Sequence, residues 1–312
     1  MNIRFLESFF LLSQNHSFRK VAEMQGTTQP AISARVRALE NELGVRLYHR
    51  DQKSFVLTPE GEAVLKTSAS ILRDYAALKA TFRSDAEIRG TVRLGVVDAI
   101  ARTWLPDLIR HLRDGYPDLI VELAVDSTET LHRQVRDGRI SLGVGIQPLE
   151  EMDTVNVELC RYDLAWVAHP DLLAGRKRIT TQELAELPLI EYAPSSPPGL
   201  LLSAYFADAG AVPHHINVSN SMSTMIQLAV GGLGVAAVPP AAIERHLAAG
   251  LLVEMPVSRP FPAISFHLFH KELPDSPVVR AVAEQTVASA RHFSAAHPRA
   301  SLPEGDVKTA IR

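Results

Sequence analysis

One cysteine and no long apolar run set the first limits. Cys160 is the only cysteine among 312 residues. A single thiol excludes an intrachain disulfide framework and a cysteine-based structural zinc site. No stretch reaches the ~18 consecutive apolar residues that a membrane-spanning helix needs. The opening MNIRFLESFF lacks a cleavable signal pattern and puts Glu7 inside its apolar stretch. No Ser/His/Asp set or carboxylate pair stands out as a catalytic constellation, so no enzyme reaction, cofactor or metal is expected. What is there is ordinary for a globular chain: 46% apolar and 21% charged residues. At about 150 residues per domain the length fits two domains. The expectation is a soluble, cytoplasmic, two-domain protein with no membrane contact.

Charge is unevenly placed. Residues 1–90 hold 13 Lys and Arg against 10 Asp and Glu, a balance of +3, whereas the whole chain stands at −3. A basic head on an acidic body points to a polyanion partner for the head.

In the head, Ile3, Leu6 and Phe10 recur at helical spacing, with Phe5 and Phe9 beside them. Ser17 is placed to cap a second helix bearing Phe18, Val21 and Ala22, which Gly26 ends. Thr28-Gln29-Pro30 opens a third: Thr28 caps, and Pro30 is tolerated in a first turn whose N–H groups have no helical partner. Ile32, Val36, Leu39 and Leu43 then form a buried stripe, and Gly44 stops the helix. At 100° per residue, Pro30, Ser33 and Arg37 point away from that stripe, with Gln29 and Arg35 on its flanks. An amide, a hydroxyl and guanidinium groups are the groups that read base edges and phosphates in a major groove. Helix, tight turn and such a helix make a helix-turn-helix.

Residues 46–58 read as a small hairpin, or wing, with Arg50 and Lys53 at its tip for phosphate contact. Thr58-Pro59-Glu60 is a helix start: cap, proline in the first turn, acidic first turn. The helix that follows spans roughly 59–87, about 40 Å at 1.5 Å per residue. Val64, Ser68, Ile71, Tyr75, Leu78 and Phe82 recur at alternating spacings of four and three, a heptad seam with one polar slot. Such a seam predicts a dimer, and a two-fold dimer matches a palindromic DNA site.

The segment from Ala22 through Thr28-Gln-Pro-Ala-Ile-Ser-Ala-Arg-Val-Arg-Ala-Leu-Glu40, Leu43-Gly-Val-Arg-Leu-Tyr-His-Arg50 and Leu57-Thr-Pro-Glu-Gly61 resembles the N-terminus of LysR-type transcriptional regulators. The match is collinear over about 60 residues and its motifs are specific. Thr28 stands where serine is frequent, Tyr48 where phenylalanine is frequent, and Ala34 where several members carry a basic or polar residue. The last departure leaves Arg35 or Arg37 to supply that contact.

The body, from residue 91, alternates strands with helices. Strands are expected at residues 91–97, 119–125, 141–146, 189–192, 216–218, 235–238, 251–255 and 264–269. Helices are expected at about 104–115, 130–137, 200–209, 222–231, 240–248 and 277–292. The alternation indicates parallel sheets. The chain crosses between two lobes near residues 162–167 and 265–269. In such sheets ligands bind beyond the strand C-termini, at helix N-termini. Gly138-Arg-Ile-Ser-Leu-Gly143 and Val230-Gly-Gly-Leu-Gly-Val-Ala-Ala-Val-Pro239 resemble recurrent motifs of the LysR effector domain, which is similar to periplasmic solute-binding proteins. The fold expected is therefore α+β overall: a winged helix-turn-helix (1–58), a linker helix and hinge (59–90), then a two-lobed α/β periplasmic-binding-protein-like domain (91–292). Lobe I takes about 91–163 and 267–292, lobe II about 164–266, and 293–312 is expected to lack structure.

Several motifs are set aside. Gly232-Leu-Gly-Val-Ala-Ala237 fits a dinucleotide-binding pattern, but a helix precedes it and a strand follows, the reverse of what that pattern needs. His267 and His270 fall on opposite faces of a strand and cannot share a metal. His214-His215 reads as solvated loop. Cys160 has no second cysteine to resolve an oxidised thiol.

The resemblance implies a transcriptional regulator that binds an interrupted palindrome near a promoter and is controlled by a small molecule held between the lobes. Gln29, Pro30, Ser33 and Arg37 are the expected groove contacts, with Thr28, Arg35, Arg50, Lys53 and Thr58 on phosphates. It also implies a dimer of dimers, with RNA polymerase a further candidate partner. The expected effector contacts are Asp98, Ala99, Arg102, Ser127, Thr128, Gln147, Ser195, Ser196 and Ser221. Many members carry Ser or Thr where this chain has Asp98. An aspartate there would repel a carboxylate and favour an amine or hydroxyls; its other reading is a helix cap, or a partner for Arg102 four residues on. A small-molecule-binding protein, or an α/β enzyme, carrying a DNA-binding head is the alternative.

Overall fold

The computed structural model describes residues 2–49, 55–81, 88–151, 153–173, 175–213, 216–272 and 276–303. Arg50, Lys53, Phe82 and His214-His215 lie outside them. Apart from the short stretch 272–277, which groups with the first unit, the chain divides between residues 87 and 88 into two units.

The first unit is helical: α1 (Ile3–Asn15), α2 (Phe18–Met24), α3 (Gln29–Leu43) and α4 (Pro59–Thr81). Its core joins Leu6, Phe9, Phe10 and Leu12 of α1 to Val21 and Ala22 of α2 and Ile32, Val36 and Leu39 of α3. Leu43, expected to finish the α3 stripe, is 39% exposed in the last turn. Gly44 closes α3 in the left-handed conformation, its N–H donating to Glu40 O at 2.9 Å. The buried Glu40 carboxylate accepts from Leu47 N at 3.0 Å and so fixes the chain leaving the helix. An antiparallel bridge, Tyr48 to Leu57, is what the described residues show of the wing. Gly61 must be glycine because a Cβ there would fall on the Leu47 carbonyl.

The second unit holds two sheets. In chain order its elements are β1 (Gly90–Val96), α5 (Asp98–Ala101), α6 (Leu105–Gly115), β2 (Leu119–Val125), α7 (Thr128–Arg136), β3 (Leu142–Gly145) and β4 (Thr154–Tyr162). Then come β5 (Ala165–Ala168), α8 (Pro170–Leu173), α9 (Thr181–Ala185), β6 (Leu189–Tyr192), α10 (Pro197–Ala207), β7 (Ile216–Ser219) and α11 (Met222–Val230). The last are β8 (Val235–Val238), α12 (Glu244–Ala248), β9 (Val253–Glu254), β10 (Ile264–Lys271), α13 (Pro277–Ala296) and β11 (Ala300–Ser301).

Lobe I carries the sheet β11-β4-β10-β3-β1-β2 and lobe II the sheet β7-β6-β8-β5-β9. The sheets are mixed rather than parallel. β1 pairs in parallel with β2 and β3, but β4, β10 and β11 run antiparallel to their neighbours. In lobe II, β6 pairs in parallel with β7 and β8, while β5 is antiparallel to β8 and β9. The chain returns to lobe I between Glu254 and Ile264, so residues 264–266 belong to lobe I and not lobe II. Residues 293–303 also depart from expectation. α13 runs on to Ala296 with Phe293 and Ser294 buried, and β11 pairs with β4 at Tyr162 and Arg161.

Candidate functional site

In the first unit the turn between α2 and α3 is tied from three sides. Gly26 takes φ +56°. Gln25 Oε1 accepts from Arg35 Nη1 at 2.8 Å and lies 2.8 Å from Ser8 Oγ on α1. Arg35, expected on phosphate, thus has one guanidinium nitrogen holding the turn. The N-terminal half of α3 presents Gln29, Pro30 and Arg37 exposed and Ser33 half-buried, opposite the buried Ile32, Val36 and Leu39. Thr28 is the exposed N-cap residue, but its side chain makes no capping bond. Thr58 departs from expectation. It is buried, donates to Arg46 O at 2.6 Å and accepts from Gly61 N at 3.0 Å. Its hydroxyl starts α4 and does not face solvent, so it cannot reach a phosphate.

Along α4, Val64 and Ile71 are half-buried against the core of their own unit, Ser68 and Leu72 are buried, and Tyr75 is 38% exposed. The Leu78 side chain is outside the described part of the helix.

In the second unit a cavity of about 740 Å³ lies between the lobes. Its walls come from the loops beyond the C-terminal ends of β1, β2, β3, β6 and β7. Asp98, Ala99, Ser127, Thr128, Gln147, Ser195, Ser196 and Ser221 all line it. Arg102 does not. Its Nη1 donates to Ser223 Oγ at 3.0 Å and its Nε to Ala242 O at 3.4 Å, so it joins lobe I to lobe II. Asp98 does likewise: Oδ2 accepts from Ser223 N at 2.7 Å and Oδ1 from Ser223 Oγ at 3.1 Å. Neither Arg102 nor a cap of its own helix is the partner of Asp98; the first turn of α11 is.

Most lining hydroxyls also serve the fold. Ser127, Ser196 and Ser221 cap α7, α10 and α11, accepting from Thr130, Gly199 and Thr224 N at 3.3, 3.2 and 3.3 Å. Thr128 Oγ1 accepts from Ile146 N at 3.0 Å.

Wall residues that the sequence did not single out include Asp126, Glu129, His132, Tyr192 and Ser223. Burial lowers the His132 pKa against the opposing effect of its bond to Gln147 O at 3.1 Å, which keeps the ring neutral at pH 7. Its edge packs on Phe269, with centroids 4.6 Å apart. Burial and the Asp98 charge push the Tyr192 hydroxyl up, so it stays a protonated donor. Cys160 is buried on β4 and burial pushes its thiol up to about 12, far from the thiolate that redox sensing needs.

A helix-turn-helix unit joined to a two-lobed unit with an interlobe cavity defines a class: DNA-binding regulators that respond to a small molecule. Residues 3–62 match the family profile described as bacterial regulatory helix-turn-helix protein, lysR family, and residues 85–291 match the LysR substrate binding domain. The chain belongs to the LysR family of transcriptional regulators. It is 27% identical over 297 residues to the Hca operon transcriptional activator HcaR of Escherichia coli, covering 93% of this chain and 99% of that one. It is 31% identical over 244 residues to a probable hydrogen peroxide-inducible genes activator of Streptomyces viridosporus, covering 77% of this chain and 78% of that one. Full-length OxyR of Pseudomonas aeruginosa shares its fold with TM-score 0.60 at 21% identity, over 98% of this chain and 99% of that one. LysG of Corynebacterium glutamicum with bound effector Arg does so with TM-score 0.59 at 18% identity, over 94% and 99%. Among the described residues no helix is long and apolar enough to cross a membrane.

Proposed function

We propose that the chain is a cytoplasmic homo-oligomer that binds an interrupted palindromic operator near a promoter, and that a small molecule in the interlobe cavity sets that binding. It carries out no catalytic step of its own. The observation that carries the reading is the two-sidedness of α3: an anchored apolar face behind exposed Gln29, Pro30 and Arg37. In the groove, Gln29 and Arg37 have the donor geometry for purine edges, and Ser33 and Pro30 complete the surface. Thr28 takes a phosphate, with Arg50 and Lys53 expected there from sequence. Arg35 acts through the turn it holds, and Thr58 through the start of α4.

Two surfaces support self-association. Val64, Ile71 and Tyr75 keep part of their surface open along α4. The edge strand β2 exposes Ile120, Leu123 and Val125 at 61, 48 and 54%, an apolar edge that a monomer would need to protect. A dimer through α4 and a tetramer through the second unit follow, with RNA polymerase a partner at the promoter.

The test is Arg37→Ala in the full-length chain, titrated by fluorescence anisotropy against a duplex selected from random DNA by the wild type. A loss of about 1–3 kcal/mol is expected for one base contact. Unchanged affinity would sink the assignment of this face.

A further inference from the structure

We infer that the interlobe cavity takes a cationic ligand: a compact molecule with an amine or guanidinium at one end and an apolar body. The inference rests on the reading of that cavity as the effector site, and it names the chemistry the site accepts.

Three helices of nine or more residues start at the cavity wall, α7, α10 and α11. Free helix N-termini would favour an anion. Here the chain's own groups already take several of their donors. At α7, Asp126 Oδ1 accepts from Ser127 N at 2.8 Å, Ser127 Oγ caps Thr130 N, and Glu129 adds a carboxylate to the first turn. At α10, Pro197 and Pro198 have no N–H to give, and the next, Gly199 N, is taken by Ser196 Oγ. At α11, the Asp98 carboxylate sits on Ser223 N and Ser221 Oγ on Thr224 N. A ligand carboxylate would find these donors engaged.

The charge of the wall then decides. It carries Asp98, Asp126 and Glu129, and among the described residues no Lys or Arg lines it. His132 is neutral. Arg102 lies off the wall, bonded to Ser223 and Ala242. Arg133 reaches Glu129 only at 4.0 Å in a solvent-exposed pair, which offsets little of the charge. Each carboxylate oxygen of Asp98 accepts one bond from Ser223 and has a lone pair left. The wall also carries apolar side chains, Leu164, Met222, Ile264 and Phe266. An ammonium or guanidinium set among the three carboxylates, with its carbon body on those apolar side chains, satisfies both.

The experiment measures thermal shifts on the full-length chain with matched pairs of one carbon skeleton: phenethylamine against phenylacetate, butylamine against butyrate, agmatine against 4-guanidinobutyrate. The expected result is a shift from the amine member of at least one pair, or agmatine over its zwitterionic partner, and none from phenylacetate or butyrate. In Asp126→Asn/Glu129→Gln the apparent affinity of that amine should fall by about tenfold or more, as the loss of charge-assisted contacts requires. Asparagine keeps an acceptor for Ser127 N, so the variant should fold. A shift from the carboxylates that disappears in the cavity-filling variant Thr128→Trp overturns the cationic class and leaves the cavity as the effector site. An amine shift that survives both variants overturns the class and the site together. No shift from any amine overturns the class, and operator binding in the same samples then reports on the regulator reading separately.

Discussion

Asp98→Ala offers the sharpest test of how the two lobes of the second unit are joined. The wild-type carboxylate accepts Ser223 N at 2.7 Å and Ser223 Oγ at 3.1 Å, and Arg102 Nη1 reaches that hydroxyl at 3.0 Å. Alanine removes both acceptors and leaves a backbone N–H of the first turn of α11 without its carboxylate. Hydrogen bonds to charged groups contribute about 1.5–3 kcal/mol each when buried. Asp98 is half-buried, so solvent screening brings the pair down to about 2 kcal/mol in total. For a unit of this size each kcal/mol moves the midpoint by about 2–4 °C, so the second unit should melt about 4–8 °C lower. Calorimetry of the full-length chain resolves this, since two units need not unfold in one transition. Asp98→Asn, which keeps one acceptor oxygen, should fall between. A midpoint unchanged in Asp98→Ala would refute the bridge.

Arg35→Ala should lower the melting point of the first unit by removing the 2.8 Å bond to Gln25 Oε1, a loss of about 1–2 kcal/mol; Arg37→Ala, at an exposed position, should leave that melting point unchanged while weakening DNA binding. Cys160 should resist Ellman's reagent in the native chain and react only in denaturant, because its thiol is buried and held protonated; fast native labelling would contradict its burial. Stability should fall as pH drops from 7 towards 5. Burial lowers the pKa of His132, His267 and His270 in the folded state, so the unfolded chain binds more protons as pH falls through the ordinary histidine value of about 6.5. The contribution is present above that value and lost below it. His270→Gln should flatten the thermal midpoint against pH, and an unchanged slope would remove His270 from the effect.

The parts legible in the sequence are those whose physics is local. β2, β6 and β8 begin and end where apolar runs meet turn residues, at Leu119–Val125, Leu189–Tyr192 and Val235–Val238. Ser17 caps α2 as its type and place require, accepting from Lys20 N at 3.3 Å. β4 escaped because its order comes from a distant partner: it pairs with β10 about a hundred residues on, through a bulge at Phe266/His267 that breaks the two-residue period. α5 is four residues long and too short to show a helical repeat. In the site, the loops were legible because strand ends locate them, and their serines because they cap helices. The partner of Asp98 was not, since Ser223 lies 125 residues away. Asp126 and Glu129 could have been found, as carboxylates flanking the N-cap Ser127. Thr58 misled because a hydroxyl beside basic residues serves a phosphate and a helix cap equally well, and only burial separates the two.

The central claim is that the chain reads DNA sequence through the exposed face of α3. The most direct measurement is the ratio of affinities for the selected duplex and a scrambled one, taken across a salt series for the wild type and for Gln29→Ala/Arg37→Ala. The wild type should discriminate by about 10³-fold or more. The double variant should lose most of that ratio while retaining much of its salt-dependent, non-specific binding. A double variant that discriminates as well as the wild type would contradict the claim.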